Sequence, residues 1–105
     1  MEAPFYKTGY PDLERLIEGW FGQDCIEDYG EKLEEIVAAY KSNYSGSYRT
    51  ELVMNTRTDI ERFLRERDDR QVEEDFVRLF WPQIRPEYWN MSTREFLLRI
   101  AELLK

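Results

Sequence analysis

Residues 10–30, YPDLERLIEGWFGQDCIEDYG, hold the clearest helix signal in the chain and the start of its densest acidic run. Leu13, Leu16, Ile17, Trp20 and Phe21 recur at i, i+3, i+4, i+7 and i+8, so five large apolar side chains share one stripe of a helix that must be buried. Pro11 suits the first helical position, where a missing N–H costs nothing. Asp12 and Glu14 complement the positive end of the helix dipole, and Gly22 offers a stop. The spacing predicts a helix from Pro11 to Phe21, with Trp20 and Phe21 both in the core. The polar segment from Gly22 to Gly30 follows, and specific recognition would start there.

Outward from this stretch the pattern stays helical. Met1 to Gly9 has no period and reads as an irregular lead-in, from which Phe5 and Tyr6 can pack back. Glu31 to Lys41 repeats the amphipathic spacing through Leu33, Ile36, Val37 and Tyr40, with Glu31, Glu34 and Glu35 on the outer face. Lys41 to Ser47 reads as a turn. Between Tyr48 and Trp81 no Gly or Pro interrupts the chain, and one helix or two would fit. Two are preferred: Leu52, Val53, Thr56, Ile60, Phe63 and Leu64 make one face, and Arg65 to Gln71 offers nothing apolar to continue it. Asp68 with Gln71 can cap a further helix carrying Val72, Phe76, Leu79 and Phe80. On the outer surface Arg57, Glu61 and Arg65, and likewise Arg62, Glu66 and Arg70, stand four apart as candidate charge ladders. Trp81 to Asn90 contains Pro82 and Pro86 and reads as a loop. Ser92 and Glu95 form a second capping box, before a last apolar face of Phe96, Leu97, Ile100, Leu103 and Leu104. The expected architecture is all-α: one domain over residues 1–105, a compact bundle of about five helices with a Pro-containing aromatic loop before the last.

Composition sets the functional bounds. At 105 residues, 15% of them aromatic, the chain supports one modest core. It has no apolar run long enough to span a membrane, and a lone cysteine, Cys25, reads as a partly buried small side chain in a reducing, cytoplasmic setting. The net charge is −7. Residues 1–35 hold ten acids and three bases, whereas residues 36–105 hold twelve of each, so the whole excess lies in the first third. A patch of one sign at that density disfavours nucleic acid and anionic membranes as partners, and it attracts a basic protein. With no histidine, the usual general base and the Ser-His and Cys-His nucleophile pairs are missing. A zinc site or another cofactor is not expected, and the acids lack the spacing of a calcium loop. Residue by residue, an acid run reads as a solvated surface. Segregation of the whole excess charge favours recognition. Tyr29, Tyr44, Tyr48, Tyr88 and Trp89 lie in or beside loops, where core and interface fit equally.

An aromatic-Pro-acid-Leu opening, Tyr10-Pro11-Asp12-Leu13-Glu14-Arg15-Leu16, leads to Gly19-Trp20-Phe21-Gly22-Gln23-Asp24, an acidic stretch, and EEIVAAY at residues 34–40. This resembles the CdiI-type immunity proteins of bacterial contact-dependent growth inhibition systems, most sharply over residues 10–40 and in layout over the rest. Trp20, Phe21, Gln23 and Asp24 match the family's aromatic-Phe-His-Gln-Asp-Trp run. Gly22 stands where its His would be and Cys25 where its Trp would be, so no role passes to those two. The resemblance implies a non-enzymatic cytoplasmic antidote that binds the C-terminal toxin domain of a CdiA-type surface effector, expected as a 1:1 complex. Such toxins are often nucleases with basic clefts, an RNase being the first expectation, and occlusion of that cleft is the implied mechanism. The partner-binding residues expected from the acidic run are Asp24, Glu27, Asp28, Tyr29, Glu31, Glu34 and Glu35. Two other classes stay open: an acidic helical adaptor or regulatory module unrelated to a toxin, and a carboxylate-metal enzyme with converging acids.

Overall fold

In a computed structural model, residues 8–105 are described, and they form six α-helices and one short 3-10 helix with no strand among them. The expectation for Phe5 and Tyr6 lies outside the described residues. α1 spans Pro11–Trp20, α2 Cys25–Tyr29 and α3 Leu33–Ser42. α4 spans Gly46–Arg65, α5 Asp69–Phe80 and α6 Thr93–Leu103, with the 3-10 helix at Pro86–Trp89. The all-α class is as expected. The helix count is six rather than five because the polar segment after α1 coils into α2, held by the fully buried Cys25. Residues 48–81 do hold two helices. The Asp68–Gln71 box is closed in both directions, with Gln71 N–H donating to Asp68 at 2.9 Å and Asp68 N–H to Gln71 at 3.0 Å. The Ser92–Glu95 box closes the same way at α6.

α1 lies on α4 and also touches α3 and α5, while α6 closes the bundle against α3, α4, α5 and the 3-10 helix. Leu13, Leu16 and Ile17 of α1 are buried as their spacing requires, and Phe21, just past the helix, is fully buried. At the centre, Phe63, Phe80, Phe76, Phe96 and Phe21 form an unbroken chain of ring contacts with centroids 5.3 to 5.9 Å apart. Ring pairs of this kind, three edge-on and Phe76–Phe80 tilted, add roughly 0.5–1.5 kcal/mol each beyond the area they bury. Trp20, expected beside Phe21 in the core, is only half-buried, because α1 ends at that residue and turns its ring outward over Tyr29 and Tyr40.

Neither candidate charge ladder closes. Arg62 instead donates to the Gly9 carbonyl at 2.6 Å, reaches Asp59 at 3.4 Å and lies over the Tyr10 ring at 4.4 Å. Glu66 accepts from the Tyr10 hydroxyl, and Arg70 pairs with Glu74 at 3.2 Å. An i, i+4 pair is worth a few tenths of a kcal/mol, less than a cation held over an aromatic face with a second acceptor in reach.

Candidate functional site

α2 is a five-residue turn of helix between two glycines, and it carries the acidic run outward. Buried Cys25 fixes its inner side, and burial pushes that thiol's pKa up, away from reactivity. Gly30 ends it at φ 123 and ψ 165, a backbone region open to glycine alone, with the Glu35 side chain packed where a Cβ would stand. Extended Lys32 then leads into α3, and Glu35 accepts the Lys32 N–H at 3.1 Å.

This geometry divides the seven expected residues into two groups. Asp24, Glu27, Asp28 and Glu31 are exposed, and among the described residues none of their carboxylates takes part in a hydrogen bond or ion pair. Glu34 and Glu35 are exposed yet engaged. Glu34 pairs with Arg99 of α6 at 3.0 Å, and that hydrogen bond holds its carboxyl below the usual range, while Glu35 caps α3. Tyr29 is half-buried against Trp20 at 5.0 Å. Trp20, Gln23, Asp24, Asp28 and Tyr29 line a notch of about 170 Å³ where α1 meets α2.

The other acids of the first third do not all reach this face. Asp12 is tied to Arg15 at 3.0 Å, with burial raising its pKa, and Glu14 is buried and accepts the Thr8 hydroxyl at 2.9 Å. The free negative surface is therefore narrower than the count of acids suggests.

Aromatic side chains continue where the free acids stop. Tyr29 meets Trp20, Trp20 meets Tyr40 at 5.8 Å, Tyr40 meets Tyr44 at 5.7 Å, and Tyr44 meets Tyr48 at 5.6 Å. Burial falls along this line from Tyr40, fully enclosed, to Tyr48, 56% exposed. Trp20 and Tyr48 belong to the candidate surface, although the acidic run alone did not identify them. The i, i+4, i+8 spacing of Tyr40, Tyr44 and Tyr48 was the available signal. Trp89 turns inward, stacking on Phe96 and donating its indole N–H to the Glu31 carbonyl at 2.9 Å, which braces the acidic segment from behind.

Among the described residues no three acidic or thiol groups converge to hold a metal ion. Among those residues no helix is long and apolar enough to cross a membrane. Compared with known families, residues 9–104 match the family model described as CdiI immunity protein. No curated protein and no solved structure matches the chain.

Proposed function

We propose, from the premise that this chain belongs to the CdiI immunity protein family, that its acidic α2 face binds the toxin domain it neutralises by covering a basic substrate cleft. Membership of the family itself implies toxin neutralisation in contact-dependent growth inhibition. The partner is the C-terminal domain of a CdiA-type effector, engaged one to one, and a nuclease, first of all an RNase, suits an acidic inhibitor. The observation that carries this reading is that Asp24, Glu27, Asp28 and Glu31 are exposed without internal partners, and that Asp24 and Asp28 share a notch with the Trp20–Tyr29 pair. Free carboxylates accelerate encounter with a basic surface, and adjacent aromatics supply the desolvated anchors that slow dissociation. Glu34 and Glu35 contribute to the field while keeping their internal bonds.

The test is co-expression with the toxin domain encoded by the neighbouring effector, read by growth and by capture of the complex. Rescue with the native chain, and slower association for Glu27→Lys, Asp28→Lys and Glu31→Lys combined, are expected. For a nuclease toxin, excess substrate nucleic acid should compete with the immunity protein. A complex that forms without such competition would move the contact off the cleft. An association rate indifferent to the triple reversal would move it off α2.

A further inference from the structure

A groove of about 490 Å³ runs between the end of α3, the first three turns of α4 and the chain end beyond α6. Its lining carries Lys41, Arg49, Arg57 and Lys105, and no carboxylate side chain. Four basic side chains and no acidic one line it, in a chain of 22 acids and 15 bases. Arg49, Val53 and Arg57 stand four apart on one stripe of α4, so the helix itself aligns the two guanidinium groups along the groove. Lys41 reaches across from α3, and its ammonium donates to the Leu103 carbonyl at 3.0 Å, which fixes its position against α6. Among the described residues neither Arg49, Arg57 nor Lys105 has an acidic side chain as ion-pair partner.

Two further observations point to a ligand. The Arg57 Nε is buried and has no hydrogen-bond partner, an arrangement that folded proteins rarely leave unanswered. Gly46, at the first position of the 20-residue α4, also lines the groove, and the preceding Ser45 makes no side-chain cap. The positive end of that helix thus adds to the field of the four cations. Repulsion among these charges is relieved by a bound anion, and the groove's volume is that of a small-molecule site. Val53, Met54 and Leu104 supply an apolar wall beside the charges.

We infer that this groove binds a small organic phosphate, its phosphates held by Arg49, Arg57, Lys41 and Lys105 and its apolar part resting on Val53, Met54 and Leu104. This groove shares no lining residue with the notch at α2, and its existence does not rest on the toxin-binding reading. The test is calorimetric titration of the full chain with inorganic phosphate, pyrophosphate and ATP, at low ionic strength held constant with sodium chloride. Amide chemical-shift mapping in parallel locates the contact. Saturable binding that tightens from phosphate to ATP is expected, with shifts confined to the groove. Arg49→Gln, at an exposed position, should weaken it by about tenfold, as for loss of one charge-assisted contact, and Arg85→Gln, on another surface, should leave it unchanged. Arg57→Gln should weaken it at least as much. Absence of saturable binding, equal affinity in Arg49→Gln, or shifts elsewhere would overturn the site. A short RNA or a polyglutamate peptide binding more tightly than ATP would overturn the ligand class.

Discussion

Tyr40 carries a hydroxyl into the centre of the bundle, where it bonds the Thr56 hydroxyl at 2.9 Å while Thr56 donates to the Leu52 carbonyl at 2.8 Å. Burial pushes the Tyr40 pKa up to about 12 from the ordinary 10.0. The folded chain therefore keeps this proton over a range where the unfolded chain loses it. Stability from this source is complete below pH 10 and falls as pH rises toward 12, by up to roughly 3 kcal/mol over the two units. Urea unfolding between pH 9 and 12 should show that decline, and Tyr40→Phe should flatten it while lowering stability at neutral pH. At Gly30, Gly30→Ala is expected to cost about 1–3 kcal/mol from the positive φ alone, and the displaced Glu35 adds to it. Thermal unfolding measures the sum.

Helix ends separate local from tertiary capping. α5 and α6 start on boxes written within four residues, Asp68–Gln71 and Ser92–Glu95, and both were legible. α1 starts on a residue from elsewhere: the Asp59 carboxylate on α4 accepts the Asp12 and Leu13 amides at 2.9 and 3.1 Å. α6 has a second such partner, because Glu73 on α5 accepts the Thr93 amide at 2.9 Å and its hydroxyl at 2.8 Å. Asp68→Ala removes an exposed local cap and should cost about 1 kcal/mol. Asp59→Ala strips two amides at a buried junction, at about 1–3 kcal/mol for each group left unsatisfied, and is expected to cost more. Chemical denaturation of both variants gives the ranking, and equal losses would mean that water replaces Asp59. α2 escaped the periodic reading because five residues with one buried position make no stripe.

Across the whole molecule, charge and aromatic surface are arranged by the packing. Of the described acids of the first third, Asp12, Glu14, Glu34 and Glu35 have internal partners, whereas Asp24, Glu27, Asp28 and Glu31 at α2, and Glu18 on α1, are exposed without one. Reversing Glu27, Asp28 and Glu31 together is expected to slow association by about tenfold or more at low salt and to flatten its salt dependence, in stopped-flow measurements with the toxin domain. Phe63→Ala, in the ring chain, should cost about 3–5 kcal/mol, whereas Trp20→Ala, half-buried, should cost less and weaken toxin binding. A Trp20 variant that binds unchanged would remove the aromatic line from the contact.

By itself the sequence determined the helical class, the stripes that became the core, both local capping boxes, the break between α4 and α5, and the placement of excess charge in the first third. Those features depend on neighbours within a turn or two, where spacing alone specifies geometry. Tertiary structure alone decided which acids stay free, that Arg62 leaves its ladder for Tyr10 and Gly9, that Trp20 faces outward, and that four cations from three segments share one groove. Each of these depends on contacts between residues far apart in the chain, and their energies exceed the few tenths of a kcal/mol that local pairs offer.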